Sequence, residues 1–199
     1  MDLTILHDIT FYALYAALAI AVFVAIERLI FFAQTSRRTR ELEDAVEHGA
    51  TPPPALVNAE NVPARAAKHM LDRLSGVTSR HDLEDLSEEV FIDSRTQLAK
   101  HLWMLDTIVT ASPLLGLLGT ILGIIDTFTA LARSGISDPS GVSAGIGTAL
   151  FATALGISVA LFGLVFFNHF QERIERLSDQ MKVLILRLSR LKPALKSGV

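Results

Sequence analysis

The chain has 199 residues, half of them hydrophobic, with a formal net charge of −3 and no cysteine. The absent thiols exclude disulfides and thiolate metal sites. Charge is partitioned: residues 37–106 hold most of the acids and half of the bases, so the net value points to no class of partner.

Residues 1–9 carry Asp2 and Asp8 but no Lys or Arg. The first apolar run follows, from Phe11 to Ile26. A cleaved signal peptide has a basic leading region and a small-residue cleavage site. Here the bases come after the run, at Arg28, Arg37, Arg38 and Arg40, so a retained span over residues 10–33 is expected. Its helix is expected to continue into Arg37–Glu47, until Gly49 and Pro52-Pro53-Pro54 end it.

Residues 34–104 read as a large polar loop with helices of its own. Pro63 to Leu74 is rich in helix formers, and Gly76 interrupts it. Ser79 is placed to cap a helix that opens with His81-Asp82-Leu83-Glu84. Leu83, Leu86 and Val90, then Leu98, Leu102 and Leu105, recur at helical spacing. No glycine or proline separates Ser79 from Pro113, which predicts one long helix that runs out of the loop into the second span.

That second span is assigned to residues 105–132. Its centre, Thr107 to Ile125, holds 19 residues without a charge, enough helix to cross about 30 Å of hydrocarbon. Pro113 predicts a kink that frees the carbonyl of Val109, with Thr110 and Ser112 beside it to satisfy loose backbone groups. Residues 133–141 have the composition of a turn. A third span, residues 142–168, lies in a stretch with no Lys, Arg, Asp or Glu between Asp138 and Glu172. The tail, residues 169–199, continues as an amphipathic helix. Phe170, Ile174, Leu177, Met181, Leu184, Leu188 and Leu191 alternate steps of three and four, a seam for packing against other helices outside the membrane. Pro193 is expected to end it.

The fold class is therefore all-α: a three-span membrane protein with long helices extending into the cytoplasm. Lys and Arg number ten over 28–104 and seven after Asn168, against none before the first span and one in the short turn. The positive-inside rule then puts the N-terminus and the 133–141 turn outside, and the loop and tail in the cytoplasm.

The later spans are rich in small residues: Ser112, Gly116, Gly119, Thr120 and Gly123 in the second, Gly145, Ala149, Ala152, Thr153, Gly156 and Ala160 in the third. Helices in lipid associate through close packing at such positions, so Pro113, Gly116, Gly119, Gly123 and Gly156 are assigned to helix packing within a bundle or oligomer. Hydroxyls either bond their own helix four residues back or line a polar pathway, and Thr153, mid-span, is the best candidate for the second role. The charges lie at the ends: Glu27, Arg28 and Asp106 at the inner interface, Asp126 at the outer end of the second span. With no carboxylate at mid-membrane, this chain supplies no proton carrier of its own, and a partner would have to bring one. His48, His69, His81 and His101 lack paired metal spacing and read as surface residues; His169 and Trp103 read as interfacial. No phosphate loop, nucleophile elbow or zinc signature occurs. Basic residues interleave with acids, which does not support nucleic-acid binding.

Ser112-Pro113-Leu114-Leu115-Gly116-Leu117-Leu118-Gly119-Thr120 and the segment from Leu105-Asp106-Thr107-Ile108 resemble the ExbB/TolQ/MotA proton-channel family. Gly145-Ile146-Gly147-Thr148-Ala149-Leu150 and Ala152-Thr153-Ala154-Leu155-Gly156-Ile157 resemble its third-span motif, and Glu27-Arg28-Leu29 and Asn168 also fit. Three spans favour the ExbB/TolQ branch over the four-span MotA type. The resemblance implies a homopentameric ring in the bacterial inner membrane, with a periplasmic N-terminus and a cytoplasmic C-terminus. It implies an ExbD/TolR-like single-span partner that supplies an intramembrane aspartate and a TonB/TolA-like protein as recipient of the motion; lipid is expected around the spans, and, with no enzyme motif in the sequence, neither a cofactor nor enzymatic activity is expected. Many ExbB and TolQ members carry a glutamate five residues before the third-span threonine, where this chain has Thr148; some carry a threonine two residues before the second-span proline, where it has Ala111. The expected function is a proton-channel or motor subunit that energises an envelope process, with Thr153, Thr148, Ser112 and Thr110 along the proton pathway and facing the partner. The departure at Thr148 keeps a second expectation open, a non-conducting scaffold that assembles or localises partners. A small-molecule transporter subunit is a weaker third, since the spans hold no substrate-sized polar cluster.

Overall fold

The computed structural model describes residues 3–46, 52–134 and 139–190. Six helices follow one another: α1 (Leu3–Val46), α2 (Pro54–Val57), α3 (Val62–Leu74), α4 (Arg80–Ala99), α5 (Leu102–Ser134) and α6 (Pro139–Ser189), with no strand among the described residues. Helices α1, α5 and α6 are long and apolar enough to cross a membrane. Gly49, His48, the turn residues 135–138, Leu191 and Pro193 lie outside the described residues.

The helix ends follow local chemistry. Asn61 caps α3, its side-chain oxygen accepting from the Ala64 N–H at 2.9 Å, with Pro63 in the first turn, where its missing N–H is harmless. Ser79 caps α4 in a reciprocal box: its Oγ accepts from the Asp82 N–H at 3.1 Å, and the Asp82 carboxylate accepts from the Ser79 N–H at 2.9 Å.

One expectation is corrected. The stretch from Ser79 to Pro113 is two helices, not one. Helix α4 stops at Ala99, Lys100 is extended, and His101 takes a left-handed φ of 67° before α5 begins at Leu102. Neither glycine nor proline marks the break; a histidine accepts the left-handed conformation that usually signals one.

The chain divides into two compact units, Met1–Ile26 with His101–His169, and Glu27–Lys100 with Phe170–Val199. The first unit joins parts of α1 and α6 to the whole of α5. Its outside carries Leu114, Leu117, Phe128, Leu150, Leu161 and Val165, all exposed, as suits a surface that meets hydrocarbon or another apolar face. The second unit has a core of its own. Leu42 and Val46 of α1, Ala67 and Met70 of α3, Leu86 and Val90 of α4, and Met181, Leu184, Ile185 and Leu188 of α6 pack together. The predicted tail seam is the buried face of α6: Phe170, Ile174, Leu177, Met181, Leu184 and Leu188 are all buried.

Candidate functional site

Within the first unit, α5 and α6 meet at small residues. Two apolar helices in lipid gain nothing from hydrophobicity, so backbone proximity has to supply the contact. Gly116, Gly119, Gly123 and Gly156 are all buried. A Cβ on Gly116 would lie 2.9 Å from the Ala152 carbonyl oxygen and 3.1 Å from the Thr153 Cα. One on Gly119 would lie 2.8 Å from the Ala152 Cβ, and one on Gly123 2.9 Å from the Ala149 Cβ. Helix α1 closes on the same glycines, with Thr10 beside Gly119 and His7 beside Gly123. Helix α5 runs on through Pro113, which is half-buried.

Most hydroxyls of this unit bond within their own helix. Thr107 donates to the Trp103 carbonyl, Thr110 to that of Asp106, Thr127 to Gly123, Thr148 to Ala144 and Ser158 to Ala154. Thr153 does not. Its hydroxyl donates across the seam to the Gly116 carbonyl at 3.0 Å and is hydrogen-bonded to the hydroxyl of Thr120. Thr120 also reaches the Gly116 carbonyl at 3.2 Å and the Ala149 carbonyl at 3.1 Å. Each hydroxyl has one proton and two lone pairs. The pair therefore has more acceptors than protons, and its protons can be rearranged without moving a heavy atom. Both threonines are half-buried.

The other expected pathway residues lie apart from that pair. Thr148 and Thr110 are exposed. Ser112 has no exposed surface, and its Oγ meets no hydrogen-bond partner among the described residues. Its carbonyl oxygen would lie 2.5 Å from a Cβ on Gly156, so it belongs to the tightest part of the seam. Asp106 is exposed.

In the second unit, Arg28 is 2% exposed. It donates through Nε to Glu27 at 2.8 Å, through Nη2 to the other Glu27 oxygen at 3.3 Å, and through Nη1 to the Leu98 carbonyl at 3.4 Å, while its guanidinium sits 4.6 Å from the Phe31 ring centre. Leu98 is in the last turn of α4, where carbonyls lack helical partners and a positive charge is favourable. Among the described residues, no three His, Asp or Glu side chains converge as metal ligands would.

Sequence reasoning passed over two participants. From the sequence Thr120 is only a small residue with a hydroxyl; its pairing with Thr153 needs the α5–α6 register. His7 was not singled out at all. It faces inward with Thr10, Phe11 and Leu14, at the spacing of one helix face, and its Nε2 is buried without a hydrogen-bond partner among the described residues. In the folded chain Thr10 and Leu14 are 3% and 0% exposed, and His7 lies one and two turns before them.

Comparison with known proteins gives the family. Residues 58–183 match the model of the MotA/TolQ/ExbB proton channel family. The chain is 34% identical over 165 residues to the biopolymer transport protein ExbB-like 3 of Synechocystis sp., covering 76% of this chain and 75% of that protein. It is 35% identical over 109 residues to a biopolymer transport protein ExbB homolog of Methanothermobacter thermautotrophicus, covering 55% of this chain and 38% of that protein. It is 37% identical over 81 residues to the Tol-Pal system protein TolQ of Pseudomonas aeruginosa, covering 41% and 35% respectively. The chain thus spans well under two thirds of the latter two relatives. A family of channel subunits, rather than of enzymes, accounts for the three apolar helices and the glycine-packed seam: this chain belongs to the MotA/TolQ/ExbB proton channel family.

Proposed function

We propose that the chain is the ring-forming subunit of a proton-driven motor in the bacterial inner membrane, of the ExbB–ExbD–TonB or TolQ–TolR–TolA type. In this reading five copies surround a single-span partner that carries an intramembrane aspartate, and proton flow drives motion that a TonB- or TolA-like protein passes to an envelope process. The N-terminus lies in the periplasm and the polar loop and tail in the cytoplasm. The observation that carries the reading is the Thr120–Thr153 pair on the Gly116 carbonyl. It is a proton-rearrangeable polar group in a helix pair whose third span has no charged residue, so it can pass or orient a proton but cannot store one. The carboxylate has to come from elsewhere.

The test is proton flux into vesicles that hold this chain and its single-span partner, with wild type, Thr153→Ala and Thr153→Ser compared. Flux lost in the alanine variant and kept in the serine variant, at equal assembly, supports the reading. Equal flux in all three refutes a pathway role for Thr153, and no flux in any refutes conduction. A second reading is a non-conducting scaffold: the resemblance implies a glutamate where this chain has Thr148, and the Thr148 hydroxyl donates to the Ala144 carbonyl at 3.0 Å. A function that survives collapse of the proton gradient would select it.

A further inference from the structure

His7 is the one titratable side chain of the first unit with a buried ring nitrogen that meets no hydrogen-bond partner among the described residues. Its position is defined on three sides. Phe11, one turn on, meets the imidazole edge-on at 5.1 Å between ring centres, and Phe11 in turn stacks on Phe151 of α6 at 6.4 Å. Across from it is Gly123 of α5, where a Cβ would come within 3.1 Å of the His7 Nε2 and 2.9 Å of the Ala149 Cβ. The bare backbone of Gly123 is thus what lets the ring reach the α5–α6 seam.

The charged groups on the packing elements are few. On α1 the neighbour is Asp8, which is exposed. On α5 it is Asp126, half-buried and nearly one turn beyond Gly123. On α6 there is none, since the described residues from 140 to 171 hold no Lys, Arg, Asp or Glu. An uncharged imidazole presents a lone pair or an N–H at Nε2 according to its tautomer; an imidazolium presents N–H groups at both nitrogens. A buried cation needs an anion or a strong acceptor. Ala149 and Gly123 offer no acceptor side chain, whereas Asp126 lies on the adjacent turn. The charged ring therefore favours a different rotation, and a different placing of the first turns of α1, than the uncharged ring does.

We propose that His7 is a proton-binding site whose occupancy controls how the first turns of α1 pack on α5 and α6. The step is a simple protonation: water-borne H⁺ adds to the ring nitrogen, the imidazole becomes imidazolium, and no other bond changes. The proposal concerns regulation of the motor proposed above, and rests on that reading only for its consequence. The site would make the outer part of the bundle sensitive to the acidity of the medium on the N-terminal side.

The test is nuclear magnetic resonance of the full chain in lipid nanodiscs, with histidine and glycine labelled, titrated from about pH 8 to 5, the range in which histidine ordinarily changes charge. His7 is assigned by its loss in His7→Gln, and Gly123 by its loss in Gly123→Ser. The expected result is a charge transition at His7 with a concerted shift at Gly123, the latter abolished in both His7→Gln and His7→Phe. The phenylalanine variant keeps the edge contact with Phe11 but takes no proton. A ring that stays uncharged over the whole range overturns the proposal. So does a ring that titrates while Gly123 stays still, or a Gly123 shift that persists in both variants. Should one variant fail to fold, the wild-type titration and the other variant decide. Proton flux is measured separately in vesicles: a complex that conducts nothing sinks the motor reading and leaves the His7 titration to be read by itself.

Discussion

Gly156 of α6 and Gly116 of α5 face each other with no side chain between them. A Cβ on Gly156 would lie 2.9 Å from the Gly116 Cα, and one on Gly116 3.3 Å from the Gly156 Cα. The obstacles are backbone atoms, and the nearest to Gly156 is the Ser112 carbonyl oxygen at 2.5 Å. A rotamer change relieves none of these contacts; the helices have to separate.

Gly156→Ala is therefore expected to destabilise the bundle by about 2 kcal/mol, the scale of overpacking, despite the gain of up to about 1 kcal/mol in helix propensity. Gly116→Ala should cost less than that. Gly147 is the internal control, because a Cβ there meets nothing within 4 Å; Gly147→Ala should be neutral or stabilising. Thermal unfolding of the detergent-extracted protein gives the order. Equal midpoints for the 147 and 156 variants would show that the seam yields easily.

The Thr120–Thr153 pair makes a coupling prediction. Thr153→Val keeps the shape and removes the hydroxyl, leaving Thr120 with only the Ala149 carbonyl across the seam and the Gly116 carbonyl without the Thr153 bond. The cost is expected to be about 1 kcal/mol, the net worth of a buried hydrogen bond. Thr120→Val should cost a similar amount, and the double variant less than the sum, with an interaction energy of at least about 0.5 kcal/mol. Strict additivity in unfolding experiments would mean that the two hydroxyls act independently.

Much of this was legible because hydrophobic runs and caps are local. Charge-free runs located the three long apolar helices. Ser79 announced a helix cap, and the steps from Phe170 to Leu188 announced a buried seam. The break at His101 was not legible, since nothing in Lys100-His101-Leu102 marks a left-handed residue and helical spacing of leucines continues on both sides. The candidate site was only half legible. Thr153 stood out by position along its own helix, but its bonds to Thr120 and Gly116 depend on how two helices are registered, which no single-helix pattern contains. His7 was hidden for the same reason, its meaning being set by Gly123 more than a hundred residues away.

Acid should act on α4 through its cap. The Asp82 carboxylate accepts from the Thr78 hydroxyl at 2.8 Å and from the Ser79 and Thr78 N–H groups at 2.9 and 3.1 Å. The Thr78 hydroxyl bond, followed by those from Ser79, holds its pKa well below the ordinary 3.8. A depressed pKa means that the unfolded chain binds the proton more readily. The contribution to stability is therefore complete above the ordinary value and is lost as pH falls below about 4, through the depressed one. Hydrogen exchange in the first turn of α4 should accelerate over that range in wild type. In Asp82→Ala exchange should be fast already at neutral pH and respond little to acid. Ser79→Ala, which removes the other half of the box, should cost about 1 kcal/mol at neutral pH. Retained protection in Asp82→Ala would show that the box does not hold this helix end.

The end of α4 is held from the opposite side, by Arg28. Its guanidinium spans both Glu27 oxygens and the Leu98 carbonyl, which a lysine ammonium, a single point charge, does not reproduce. Arg28→Ala is expected to cost about 2 kcal/mol, below the full penalty for breaking a buried pair because the Glu27 side chain is 36% exposed. Arg28→Lys should fall between it and wild type. The effect should concentrate in amide exchange of residues 98–100. The neighbouring His101, with its φ of 67°, gives an independent handle on the same break. His101→Val forces a β-branched residue into the left-handed region at a cost of about 1–2 kcal/mol, or else merges α4 and α5 into one helix. His101→Gly accepts the conformation and should leave exchange on either side unchanged. A valine variant with wild-type stability and slower exchange across 99–103 would mean that the break is easily healed, and that the Arg28 contact with Leu98 does not by itself keep it open.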